Sequence, residues 1–143
     1  MKIDVYTDGS GQTSDGPGGW AFVVVIDGVE QHRANGSIPS ATNNVAEITA
    51  AIKGLEYVAG IPSGNNVREV CLVSDSQLVL GYASGRYKCK AMHLLPLFIQ
   101  LKKLYRQLNA SERWVRGHSG DQYNEICDGL AKTARESLLN SGV

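Results

Sequence analysis

Several things are scarce in this 143-residue chain, and each scarcity excludes something. There are three cysteines, Cys71, Cys89 and Cys127, with no C-x-x-C spacing. That excludes a disulfide framework and a cysteine zinc site. Net charge is absent: 14 Lys plus Arg balance 14 Asp plus Glu. A binder of nucleic acid working by bulk charge is excluded, though a local basic patch is not. No apolar run approaches the ~20 residues that span a bilayer. The start, Met1-Lys2-Ile3-Asp4-Val5, lacks the apolar core of a signal peptide. Repeats and low-complexity tracts are missing, and the 16 glycines are scattered. What remains is 43% apolar residues, enough for a real core in one domain over residues 1–143. A soluble protein of the reducing cytoplasm is expected.

The early part of the chain reads as strands. Lys2 to Thr7 is β-rich and ends at the turn cluster Asp8-Gly9-Ser10-Gly11. A loop spans Gln12 to Gly19. Trp20 to Ile26 is strongly apolar, Asp27-Gly28 marks a hairpin turn, and Val29 to Ile38 returns as a more polar strand. The period then changes. Thr42-Asn43-Asn44 offers caps to a helix with Val45, Ile48, Ala51, Ile52, Leu55 and Val58 on one face, stopped by Gly60 and Pro62. Glu69 to Val73 is a short strand, followed by a helix over Gln77 to Ala83. A longer helix from about Met92 to Leu108 carries Leu94, Leu97, Phe98, Leu101, Leu104, Tyr105 and Leu108 on a broad apolar face. Arg113 to Arg116 is a fifth strand, Gly117 to Gln122 a loop, and Tyr123 to Leu139 a last helix. The order βββαβααβα predicts an α/β fold: a mixed five-stranded sheet, an antiparallel three-strand meander with parallel additions, flanked by helices.

Four acids stand at the ends of elements. Asp8 ends the first strand and Asp75 the fourth; Glu47 lies in the first turn of the first helix; Asp128 lies one or two turns into the last. If the two strands are adjacent and run the same way, Asp8 and Asp75 meet. Converging carboxylates without basic neighbours repel, and a bound divalent cation relieves this. Oxygen ligands select hard ions such as Mg²⁺, with Mn²⁺ a substitute. Taken singly, each acid has a plainer reading as a cap or dipole partner. Asp4, Asp27, Glu30, Glu56, Glu69, Glu112 and Glu136 keep that plain reading, as solvated surface.

The motifs around those acids are more specific. Tyr6-Thr7-Asp8-Gly9-Ser10 is followed by Gly16-Pro17-Gly18-Gly19-Trp20-Ala21, Thr42-Asn43-Asn44-Val45-Ala46-Glu47 and Ser74-Asp75-Ser76-Gln77. Trp114-Val115-Arg116-Gly117-His118-Ser119-Gly120 and Asn124-Glu125-Ile126-Cys127-Asp128-Gly129-Leu130-Ala131 complete the series. Over nearly the whole chain, in this order, they resemble type 1 ribonuclease H. The resemblance implies an endonuclease that hydrolyses the RNA strand of RNA–DNA hybrids, leaving 5′-phosphate and 3′-hydroxyl ends. It implies that Asp8, Glu47, Asp75 and Asp128 bind a pair of Mg²⁺ ions. It matches His118 to a mobile-loop histidine that moves a proton or helps release product. Thr42 matches a hydroxyl that meets a DNA-strand phosphate. Asn43, Asn44 and Gln77 match residues that track the hybrid's minor groove, where the 2′-hydroxyl distinguishes RNA. Glu125 reads equally as a hydrogen-bonding partner of the site or as a surface acid. His32 and His93 carry no motif and read as structural or surface residues.

Between Arg86 and Arg116 eight basic residues face one acid, Glu112. Arg86, Lys88 and Lys90 around Tyr87 are the phosphate-binding candidates; Lys102, Lys103 and Arg106 read as the wet face of a helix. The chain departs from many family members in lacking a long Trp-containing basic protrusion or a separate hybrid-binding domain. Ser84 to Met92 is short, and both tryptophans, Trp20 and Trp114, lie elsewhere. Weaker hybrid binding than in protrusion-bearing relatives is expected. Two alternatives stay open on the residues alone: a non-catalytic hybrid-binding module, and a nuclease domain derived from a reverse transcriptase. A monomer with no obligate protein partner is the expected form.

Overall fold

The computed structural model describes residues 1–11, 16–62 and 67–141. Its elements are β1 (Lys2–Ser10), β2 (Gly18–Ile26), β3 (Val29–Ile38), α1 (Asn43–Ala59), β4 (Glu69–Ser74), α2 (Gln77–Ser84), α3 (Leu95–Gln107), β5 (Ser111–Trp114) and α4 (Gln122–Ser141). A 3-10 turn over Met92–Leu94 precedes α3. The strands form one sheet in the order β3-β2-β1-β4-β5. β1, β2 and β3 are an antiparallel meander, and β4 and β5 add in parallel. This is the expected mixed sheet with flanking helices.

Burial explains the layers. On one face Ile3, Val5, Phe22, Val24 and Leu72 pack against Ile48, Ile52, Leu55 and Val58 of α1 and Leu101 of α3. On the other, Tyr6, Ala21, Val23, Val25 and Val73 pack against Cys127 and Ala131 of α4. The β2–β3 hairpin closes at Asp27 and Gly28, with φ of 49° and 83°. That pair of left-handed residues matches the twist of the flanking strands. Thr42 caps α1, its Oγ1 accepting from Val45 N at 3.3 Å. Ser76 caps α2, its Oγ accepting from Val79 N at 3.2 Å.

The elements differ from expectation in places, each with a physical reason. β1 runs on to Ser10, because Asp8, Gly9 and Ser10 pair with Ala21, Trp20 and Gly19. β2 accordingly begins at Gly18. The expected loop from Gln12 to Gly19 lies partly outside the described residues. β5 is Ser111–Trp114, two residues earlier than expected, set by parallel pairing of Ser111 with Cys71 and Trp114 with Ser74. α3 starts at Leu95, with Pro96 in its first turn, where a missing N–H costs no intrahelical hydrogen bond. On α3, Leu101 is buried, whereas Leu97, Phe98, Leu104 and Tyr105 are only partly so. No helix among the described residues is long and apolar enough to cross a membrane.

Candidate active site

The parallel register of β1 and β4 builds the site. Tyr6 pairs with Val73, so two residues on, Asp8 and Asp75 leave the same side of neighbouring strands. Glu47 reaches them from α1. It sits in the second turn, not the first, four residues beyond Asn43. Oxygens of Asp8, Glu47 and Asp75 all lie within 4.8 Å of one another. Asp8 is 5% exposed and Glu47 7%, while Asp75 is half-buried at the strand end.

Close backbone approach makes this possible. A Cβ on Gly9 would stand 2.3 Å from the Ala46 carbonyl carbon and the Glu47 nitrogen. Only glycine lets β1 press onto α1 there. The Gly9 N–H then donates to Glu47 Oε1 at 2.5 Å and to Asp8 Oδ1 at 3.0 Å. At the other strand, Ser74 Oγ accepts from Ser76 N at 3.0 Å, shaping the turn that carries Asp75.

The electrostatics are those of packed acids. Burial, first, pushes Asp8 up; a hydrogen bond with Glu47 and the charges of Glu47, Asp75 and Asp128 add to it. Burial also raises Glu47, against hydrogen bonds from Asp8 and the Gly9 amide. Asp75 is raised by burial and by Asp128, while His118 and an Asn124 hydrogen bond favour its charged form. Both acids of the pair thus hold their protons more tightly than exposed carboxylates do. Asp128 lies nearly two turns into α4, outside the tight trio, with Oδ2 3.1 Å from Lys132 Nζ. Its charge still raises all three partners. The donor set is oxygen-only and its charge is under-compensated, which fits a hard divalent cation.

His118 is exposed and near enough to Asp75 for its charge to be felt. Its φ is 56°, a left-handed conformation uncommon outside glycine. Ser119 Oγ donates to Arg116 O at 2.5 Å and holds that turn. Asn43, Asn44 and Gln77 are exposed at the N-termini of α1 and α2, beside Glu47 and Asp75. Lys88 and Lys90 are exposed on the α2–α3 connection. Arg86 is not free: its Nε and Nη2 both donate to Glu112 Oε1, at 3.0 and 2.6 Å. Glu125 is exposed in the first turn of α4.

Three residues assigned no role in the sequence reading bear on the site. Asn124, 3% exposed, lies near enough to Asp75 to favour its charged form. The signal was its place one turn before Asp128, on the same face of α4. Gly117 lies against Asp75; a Cβ there would come 3.1 Å from Oδ2. The Trp114 indole donates to the Asp75 carbonyl at 3.1 Å. Cys127, buried behind Asp8, is raised well above the usual thiol range by burial. It packs with its Sγ 3.4 Å from Tyr6 O.

Known proteins share this design. The RNase H family model matches residues 1–136. A ribonuclease H from Legionella pneumophila is 33% identical, over 96% of this chain and 99% of its own. The N-terminal ribonuclease H domain of a Mycobacterium tuberculosis protein superposes with a TM-score of 0.86 at 29% identity, covering 100% of this chain and 99% of that one. LC11-RNase H1, solved in complex with an RNA/DNA hybrid, superposes with a TM-score of 0.84 at 26% identity, over 96% and 99% of the two chains. With a family model spanning all five strands and a full-length relative at this identity, the chain belongs to the ribonuclease H family.

Proposed function

We propose that the chain hydrolyses the RNA strand of RNA–DNA hybrids, with Asp8, Glu47, Asp75 and Asp128 holding a pair of Mg²⁺ ions. The observation that carries this reading is the convergence of the buried Asp8 and Glu47 with the half-buried Asp75, their ligand oxygens within 4.8 Å. A pure hybrid binder gains nothing from three acids aimed at phosphates, so the non-catalytic alternative falls behind. When bound, such ions supply Lewis-acid stabilisation of the phosphoryl oxygens and a water acidic enough to attack at neutral pH.

The chain's own residues do the rest. Asp8 and Asp75, on adjacent parallel strands, set the centre of the site. Glu47 is oriented by the Gly9 amide, so its carboxylate is fixed before substrate arrives. Asp128 approaches from α4 and, with Lys132 beside it, forms the more open side. The ends of α1 and α2 turn their unpaired N–H groups and positive dipole ends toward an incoming phosphodiester. Thr42 Oγ1 accepts the α1 cap bond, leaving its hydroxyl proton to donate to a DNA-strand phosphate. Asn43, Asn44 and Gln77 present amides that read minor-groove atoms, the RNA 2′-hydroxyl among them. His118, on its left-handed turn, delivers a proton to the leaving 3′ oxygen or helps release product. Lys88 and Lys90, with Arg86, steer the hybrid through salt-sensitive phosphate contacts. One chain supplies all four carboxylates, so a single-domain monomer is the simplest form of this reading.

The test is cleavage of a hybrid whose RNA is labelled at its 5′ end. Parallel reactions hold single-stranded RNA, duplex RNA and duplex DNA. Internal cuts confined to the hybrid's RNA, abolished by EDTA and by Asp8→Asn, are expected. Binding without cuts, in Mg²⁺ and Mn²⁺ alike, would sink the proposal.

A further inference from the structure

Asp75 is the least buried member of the carboxylate trio, so packing alone does not fix it. It stands at a strand–helix junction, one residue past the end of β4 and two before α2. Its main chain therefore lies outside both regular ladders. The segment after β5 closes around this junction. Val115 N donates to Ser74 O at 3.1 Å, carrying the β4–β5 ladder one step further. The Trp114 indole Nε1–H donates to Asp75 O at 3.1 Å. Gly117 then passes close against the Asp75 carboxylate.

Alternation along β5 explains where the ring sits. Arg113 turns to the α4 face, where its Nη2 donates to Tyr6 Oη at 2.8 Å. Trp114 turns to the opposite face, beside the start of α2. The ring remains 47% exposed. An indole that is half in water contributes little core burial, so its edge-on hydrogen bond is the more specific contact.

We infer that Trp114 is a positioning residue, whose indole N–H holds the Asp75 main chain so that the carboxylate faces Asp8 and Glu47. The inference rests on the reading of Asp75 as a cation ligand. A displacement of about 1 Å in such a group can cost ~10²-fold in rate. A lost bond at the junction acts on cation affinity and turnover together, and leaves the distant phosphate contacts alone. The same segment continues into the His118 turn, so Trp114 also fixes where that turn begins.

Trp114→Phe keeps an aromatic ring and deletes the donor. It is expected to raise the Mg²⁺ half-saturation about three- to tenfold, measured by calorimetry without substrate, and to lower kcat about tenfold. KM for the hybrid should change less than twofold. Leu104→Ala, a destabilising change on α3, serves as the structural control: it lowers Tm and leaves Mg²⁺ affinity unchanged. If Trp114→Phe behaves like that control, the inference is wrong. A raised KM with wild-type Mg²⁺ affinity also overturns it, since the ring would then be seating substrate. Should the variant fail to fold, the wild-type indole ¹H–¹⁵N resonance decides, with Trp20→Phe leaving one signal. It should move during Mg²⁺ titration with the midpoint found calorimetrically, and not move in Asp75→Asn. An indole signal indifferent to saturating Mg²⁺ overturns the inference. Absence of hybrid cleavage by the wild type would instead overturn the reading of the site, and this inference with it.

Discussion

The Gly9 amide donates to Glu47 Oε1 at 2.5 Å, across 38 positions of sequence. A main-chain donor inside a strand thereby orients an acid on a helix. The bond exists because residue 9 has no side chain: its Cβ would overlap the α1 backbone at 2.3 Å. The contact is backbone against backbone, which neither partner can relieve by changing rotamer.

Gly9→Ala should therefore part β1 from α1. Overpacking of this kind costs roughly 1–3 kcal/mol, and a backbone clash belongs at the top of that range. Urea unfolding of the cation-free protein should show the loss in midpoint with an unchanged slope. Hybrid cleavage should fall by more than tenfold, because Glu47 loses its donor. A variant with wild-type midpoint would show that α1 can shift freely.

A pH dependence follows from the raised Asp8–Glu47 pair. Burial holds Asp8 and Glu47 above the usual carboxylate range. A raised folded-state value favours folding below the ordinary carboxylate pKa of about 4 and loses that contribution as pH climbs through the raised value. Asn at position 8 imitates the protonated acid at every pH. In EDTA, the Tm of Asp8→Asn relative to wild type should thus become more positive from pH 5 to pH 8, by about 3 °C or more. A difference that stays constant across that range would contradict the raised Asp8.

Much of this fold was legible from sequence, and the failures were informative. The apolar runs of β2 and β4 and the 3.6-residue period of α1 declared themselves. Asp8-Gly9-Ser10 read as a turn because Asp and Gly disfavour strands. It is strand because Gly19 and Trp20 pair with it, a preference only the tertiary structure supplies. β5 was displaced for a similar reason: Ser111–Trp114 is an exposed edge with no apolar alternation to mark it. Trp114 could not be read as a neighbour of Asp75, since polar contacts between distant segments leave no local pattern; Asn124 left only its helical spacing from Asp128. The three acids that the structure gathers, Asp8, Glu47 and Asp75, were singled out by the motifs around them.

Divalent cation binding should oppose the protons. At about 100 times its Kd a ligand adds ~2.7 kcal/mol of stability. Mg²⁺ needs the carboxylates ionised, so its stabilisation should be larger at pH 8 than at pH 5.5. Thermal melts with and without Mg²⁺ measure this, and Asp75→Asn should lose most of the increment. Equal stabilisation at both pH values, or in the variant, would place the ion elsewhere.

Arg86 offers a test of substrate steering. Its Nε and Nη2 both donate to Glu112, and Glu112 lies beside the connection that carries Lys88 and Lys90. Glu112→Gln should release the guanidinium toward phosphates. Hybrid binding at low salt should tighten about two- to fivefold, with a steeper dependence on log salt by about one unit. Arg86→Ala should change binding less than Lys88→Ala, because Arg86 is already paired. Filter binding across a salt series distinguishes these outcomes; an unchanged slope in Glu112→Gln would mean Arg86 never meets the hybrid.

His118 lies where a proton carrier is useful, and its backbone says the position is held deliberately. Its φ of 56° is a conformation that costs a non-glycine residue free energy, and the Ser119 hydroxyl bond to Arg116 O pins the turn. Its charge favours the ionised form of Asp75, so the ring lies within electrostatic reach of that carboxylate. A positioned acid–base group is worth ~10²–10⁴-fold. His118→Ala should lower kcat by about 10²-fold while KM and Mg²⁺ affinity stay near wild type. Ser119→Ala should lower kcat less, by loosening the turn without removing the imidazole. Added imidazole should restore part of the lost rate in His118→Ala and none in Asp75→Asn, because only the first defect is a missing proton carrier. Rates for His118→Ala within twofold of wild type would reduce His118 to an exposed loop residue.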